Sequence, residues 1–148
     1  MVVNTDAEIW RERLRRAGIR ATEPRLAVLR LLAESERPLS HTEVVQALES
    51  SPWDQATLYR NLLRLVESGL ARVVSRIEGV ARYQALVDDS AAAEHLHPHF
   101  ACTECGAVAC LPDSTLSLPK ETAWRNAVAE AELQVVGRCP ECRTQPSA

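Results

Sequence analysis

The chain has 148 residues, 46% hydrophobic and 25% charged, with a net charge of −3, the composition of a soluble globular protein of one ordinary domain or two small ones. No apolar run approaches the roughly 20 residues that span a bilayer, and the N-terminus lacks the basic-then-apolar order of a signal peptide, so a cytoplasmic protein with no membrane partner is expected. Residues 1–83 carry 13 arginines against 11 carboxylates, whereas residues 84–148 carry 4 Lys/Arg against 9, a split that suggests two halves with different partners.

Helical patterning fills the first 70 residues. "DAEIWRERLRRAG" places Ile9, Trp10 and Leu14 on one face and stops at Gly18. "ATEPRLAVLRLLAES" starts on Thr22 as a cap with Pro24 in the first turn, where its missing N–H costs nothing. "LSHTEVVQALES" has Ser40 and Glu43 at capping-box spacing. "DQATLYRNLLRLVESGL" is capped by Asp54 and ends at Gly69. "ARVVSRIEGVARYQAL" is rich in β-branched residues and turns at Glu78-Gly79, the pattern of a β-hairpin. Helices followed by a hairpin indicate a winged helix-turn-helix.

Periodicity then lapses into a loop. Beyond it, residues 97–101 and 107–111 read as short strands around a knuckle turn, "SLPKETAWRNAVAEAE" as a helix and "LQVVGRC" as a last strand. Pro98 implies an edge position for its strand. The fold class is therefore α+β. A winged-helix DNA-binding domain is assigned to 1–84, a hinge to 85–94, and a small α/β dimerisation and metal-binding domain to 95–148.

On a helical wheel the fourth helix gathers Leu58, Leu62, Leu65 and Val66 on one side. Thr57, Arg60, Asn61 and Arg64 form a separate polar face, with Tyr59 on its flank. These groups suit phosphates and base edges in a major groove; a merely solvated face is the bland alternative. Arg20 and Arg25, near the start of the second helix, are candidate phosphate contacts.

Of five cysteines, Cys102, Cys105, Cys139 and Cys142 form two Cys-x-x-Cys pairs, the pattern of a four-thiolate structural zinc site. A redox dithiol is the alternative. His95, His97 and His99 alternate, so on a strand they share a face and can serve a second metal. Cys110, on the outgoing strand, and His41, beside the third helix's cap, are candidate further ligands. Each has an ordinary structural explanation too, as a buried thiol and an exposed histidine.

The stretches "GIRATEPRLAVL" (18–29), "DQATLYRNLLRLVESGL" (54–70), "GVARYQAL" (79–86), "HPHFACTECGAV" (97–108) and "GRCPEC" (137–142) together resemble the ferric uptake regulator family of metal-dependent repressors. The resemblance implies a homodimer that binds a palindromic double-stranded DNA operator when metallated. It implies that Tyr59 and Arg60 contact base and phosphate, that the four paired cysteines hold structural zinc, and that His97 and His99 belong to a regulatory site. Gln84 and Cys110 stand where the family commonly has acidic residues. A thiolate moves a site from iron(II) or manganese(II) toward zinc, so His41, His97, His99 and Cys110 are the expected regulatory quartet. His95, Asp88, Asp89 or Glu94 are substitutes for His41. The expectation is a zinc sensor of the zinc uptake regulator branch, not an enzyme. An iron, manganese or peroxide sensor is the alternative, and a zinc hydrolase a more distant one.

Overall fold

The computed structural model describes residues 4–86, 98–111, 120–129 and 134–145. Contacts divide the chain into two units, Met1–Ala91 and Ala92–Ala148. None of its described helices is long and apolar enough to cross a membrane.

The first unit begins with α1 (Asn4–Arg16) and α2 (Glu23–Glu34). Leu14 of α1 is fully buried, and Leu26, Val28, Leu29 and Leu32 of α2 join it in one core. Ile9, expected on the buried face, is instead 46% exposed. The stripe runs from Trp10 to Leu14, one turn apart, and Ile9 lies about 100° around the helix from Trp10.

A two-residue strand that the sequence did not announce, β1 (Leu39–Ser40), leads into α3 (His41–Ala47). Ser40 and Glu43 form the expected capping box at that junction. The longer α4 (Gln55–Glu67) follows, its first turn closed by the Asp54 carboxylate accepting from Thr57 N at 2.7 Å. Leu58, Leu62 and Leu65 of α4 are buried against the other helices.

The hairpin is β2 (Ala71–Ile77) and β3 (Val80–Ala85), antiparallel, with β1 on the far side of β3. Its turn residues have φ of 50° at Glu78 and 80° at Gly79. Two positive φ angles in a two-residue loop match the twist of the flanking strands. A bulge between Val73 and Ser75 bends β2, and Tyr83 and Ala85 turn into the helical core.

Glu43 ties this wing to the helices. Its carboxylate accepts from Ser40 N at 2.8 Å and from Arg82 of β3 at 2.6 Å, and pairs with Arg37 at 2.7 Å. Arg82 and Glu43 are only 19% and 24% exposed, so solvent screens this cluster less than a surface pair.

In the second unit, β4 (His99–Cys102) is the central strand. It is antiparallel to β5 (Val108–Cys110) and parallel to β6 (Gln134–Gly137). The edge position inferred from Pro98 is thus corrected. The proline sits one residue before the strand, where its lack of an N–H removes no ladder bond, and its carbonyl accepts from Leu111 N at 2.9 Å. Helix α5 (Thr122–Ala129) precedes β6. A short α6 (Pro140–Thr144), unforeseen from the sequence, follows it.

Burial tends to raise the Glu43 pKa, but the Ser40 hydrogen bond and the Arg37 and Arg82 guanidiniums outweigh it and hold the carboxyl below its usual range. A depressed carboxylate contributes stability that is complete above its unfolded value of about 4.3 and is lost as pH falls through the lower folded value. Glu43→Gln is expected to cost about 1–2 kcal/mol at neutral pH. In urea unfolding followed by circular dichroism, the gap from wild type should close as the pH drops below about 4.

Candidate functional site

Two constellations carry chemistry, one in each unit. In the first, α4 turns an apolar side to the core and leaves Tyr59, Arg60 and Arg64 exposed. Tyr59 is 43% exposed. Arg60 donates to the Thr57 hydroxyl at 3.3 Å, and Arg64 pairs with Glu67 at 3.1 Å. Arg20 is also exposed, while Arg25 is half-buried. Burial, then the nearby Arg64 charge, pushes the Arg25 pKa down.

Asn61 does not join this face. It is 6% exposed, its side-chain oxygen accepts from Arg25 Nε at 3.1 Å, and its amide donates to the Thr57 carbonyl at 2.9 Å. The exposed polar face expected of α4 thus forms without it, both ends of its amide being engaged inside the protein.

His41 is held in the first unit. Its Nε2 lies 2.9 Å from the Gln55 carbonyl, which only accepts, so Nε2 carries the proton there. Its ring meets Tyr59 edge-on, centroids 5.2 Å apart. That arrangement leaves Nδ1 as the one nitrogen of His41 able to ligate a metal. No sequence signal pointed to the Tyr59 contact, because it depends on how α3 packs on α4.

In the second unit the two Cys-x-x-Cys pairs converge. The sulfurs of Cys102, Cys105, Cys139 and Cys142 all lie within 4.8 Å of one another. The first pair sits on a turn closed by Gly106 N donating to Cys102 O at 3.1 Å and Cys102 N to Ala107 O at 2.8 Å. Gly106 has φ of 72°, a backbone state that a Cβ disfavours. Cys139 caps α6, its sulfur accepting from Cys142 N at 3.5 Å. Thr103 N, donating to Gly137 O at 2.9 Å, stitches the two turns together.

The Cys105 and Cys139 sulfurs are 3.7 Å apart. Four sulfurs about 2.3 Å from a tetrahedral ion would be spaced by about 3.8 Å, so the donor set fits a thiophilic ion such as zinc. Two charged residues, Glu104 inside the first pair and Arg138 just before the second, brace the cluster. Arg138 pairs with Glu104 at 2.7 Å and donates to Cys142 O at 2.7 Å. Their positions, one between the first two cysteines and one beside the third, were the available but unread signal.

The electrostatics of the thiols are uneven. Burial opposes ionisation of Cys102, but backbone N–H groups of Cys105, Cys139 and Glu104 outweigh it and bring its pKa down to about 6. The Cys139 sulfur, then burial, pushes the Cys142 thiol up. Cys139 is itself raised: the Cys142 N–H favours its thiolate, but burial and its neighbours Glu141 and Cys105 prevail.

Of the expected regulatory ligands, the described residues include His99 and the backbone of Cys110. These two are cross-strand partners of β4 and β5. His95 and His97, and Asp88, Asp89 and Glu94, lie outside the described residues, as does the Cys110 side chain. Among the described residues the four cysteines form the one cluster able to hold a metal.

A family model described as "Ferric uptake regulator family" matches residues 16–135. Ferric uptake regulation protein 1 of Mycolicibacterium fortuitum is 32% identical over 145 residues, covering 86% of this chain and 85% of that protein. Transcriptional regulator FurA of Mycobacterium tuberculosis is 32% identical over 139 residues, covering 90% and 89%. The crystal structure of the Vibrio cholerae ferric uptake regulator superposes with a TM-score of 0.62 at 23% identity, covering 87% and 98%. That likeness establishes the fold.

A metal entering the four-sulfur cluster must displace protons from the raised thiols. At neutral pH, calorimetric titration with zinc in buffers of different ionisation enthalpy should report release of about two protons or more per ion. Affinity should weaken as pH falls, steepening further below the Cys102 value of about 6. Cys102→Ser is expected to abolish tight binding.

Proposed function

The chain belongs to the Ferric uptake regulator family, and within this family of transcriptional regulators, which are not enzymes, we propose that it is a zinc-sensing repressor that binds a palindromic operator as a metallated homodimer. Membership sets the hydrolase alternative aside. Tyr59 and Arg60 are the base- and phosphate-contacting pair of the reading, with Thr57, Arg64, Arg20 and Arg25 as further contacts. Cys102, Cys105, Cys139 and Cys142 are its structural zinc ligands, and His97, His99 and Cys110 its regulatory ligands. His41 through Nδ1, His95 or a loop carboxylate completes the set.

The observation that carries zinc as the signal is the β4–β5 register, which sets His99 opposite Cys110. Residues directly opposed in an antiparallel ladder are the neighbours that interact across the two strands. A thiolate and an imidazole from such a pair favour zinc over the oxygen-preferring ions. Support for a homodimer comes from unpacked apolar surface in the second unit, where Trp124 is 63% exposed and β6 carries exposed Val135 and Val136 on opposite faces. The mechanism is population shift: a ligand that binds one arrangement of the two winged units better favours it, and half-sites one helical turn apart accept one spacing. By linkage, operator DNA tightens metal binding by the factor by which metal tightens DNA binding.

The second reading is an iron-dependent regulator. It is favoured by the relatives above that are named for ferric uptake.

Zinc per chain after mild chelation and reloading separates the readings. Two ions in wild type falling to one in Cys110→Ser are expected; one in both proteins would sink the zinc reading and leave the structural site alone. On DNA, Arg60→Ala should weaken binding to all duplexes by about tenfold, whereas Tyr59→Ala should chiefly reduce discrimination among sequences. Both are measurable by fluorescence anisotropy.

A further inference from the structure

We infer that Asn61, although inside the fold, is a positioning residue for phosphate binding, holding the Arg25 guanidinium in one orientation beside α4. This role rests on the DNA-binding reading above.

The geometry is specific. Arg25 reaches across from α2, its Nε donating to Asn61 Oδ1 at 3.1 Å and its NH1 donating to the Arg20 carbonyl at 2.5 Å. Asn61 is itself fixed by donating to the Thr57 carbonyl at 2.9 Å. A guanidinium has five N–H donors in a rigid plane. Two of these bonds fix the plane while leaving donors for the paired oxygens of a phosphate, the geometry that arginine suits best.

The chemistry of the anchor matters as much as its place. An amide accepts from Arg25 and donates to Thr57 at once, and it is neutral. A carboxylate there would cancel the charge it holds, and a leucine would fill the same volume but leave Arg25 held by the Arg20 carbonyl alone, free to turn about that one bond. Glu67 pairs with Arg64 at 3.1 Å, and Glu23, two residues before Arg25, with Arg11 at 3.2 Å. Arg25 thus sits half-buried close to a like charge. An incoming phosphate would relieve that repulsion.

The test uses the full-length, zinc-loaded protein and a labelled mixed-sequence duplex three helical turns long, with affinity followed across a salt series. Arg25→Ala should flatten the dependence of log affinity on log salt by about one unit. Asn61→Leu should remove most of the same unit and weaken low-salt binding about five- to tenfold. The double variant should bind no worse than Arg25→Ala. Asn61→Asp, which keeps an acceptor for Arg25, should also flatten the slope by neutralising its charge.

A second readout does not involve DNA. The Arg25 Nε–H signal in nitrogen–proton NMR of the free protein should be protected from exchange in wild type and Asn61→Asp, and lost in Asn61→Leu. A wild-type salt slope in both Asn61 variants, or additive losses in the double variant, would overturn the positioning role while leaving DNA binding intact. If Asn61→Leu does not fold, Asn61→Asp decides alone by the same slope. A protected Nε–H in a wild-type protein that binds no duplex even at low salt would overturn the DNA reading and the positioning role together.

Discussion

The second unit is organised around four sulfur atoms that meet within 4.8 Å of one another. Its buried apolar residues, among those described, include Pro98, Ala101, Cys102 and Cys139, and the last two are themselves thiols of the cluster. A unit with so few buried apolar residues among those described gains little from burial there to offset the entropy of ordering its chain. An ion held by the four sulfurs would supply a cross-link and couple metal binding to folding. The same cluster fixes the sheet: Cys102 ends β4, and Cys139 follows β6 by two residues. On the other side of β4, the hairpin with β5 sets His99 opposite Cys110.

The first unit obeys a different constraint. Its core is a continuous set of aliphatic side chains and Tyr83 drawn from all four helices and the wing sheet. Polar chemistry instead organises how the elements meet. Glu43 links the start of α3 to β3 through Arg82, and Asn61 links α4 to α2 through Arg25. Both are polar side chains at junctions where satisfied hydrogen bonds specify one packing and unsatisfied ones would be costly. Because every basic residue of residues 1–83 is arginine, these junctions share planar, multidentate cations, the kind best able to bind a neighbour and an anion together.

The two units are thus complementary in physical type. One buries a continuous apolar core and carries exposed arginines; the other gathers four thiols able to hold a metal and presents exposed apolar surface on α5 and β6. A regulator that couples metal to DNA has use for that division, since the second unit can bias the arrangement of the first without altering the surface that reads DNA.

By itself the sequence determined five of the six described helices, the hairpin, the capping box at Ser40 and Glu43, the Asp54 cap and the pairing of the four cysteines. Each of these follows from residues one to four apart, from a turn requiring positive φ, or from a spacing that makes two thiolates converge. Only the tertiary structure decided that Asn61 faces inward, that His41 meets Gln55 and Tyr59, that Ile9 is left exposed and that the strand after Pro98 is central. These depend on partners elsewhere in the chain, Arg25 being 36 residues from Asn61 and Gln55 fourteen from His41. A helical wheel ranks residues by angle, and Asn61 lies at the border between the apolar and polar sectors. Which way such a border residue turns is settled by whether a neighbouring element brings a partner for its amide, and no local periodicity contains that information.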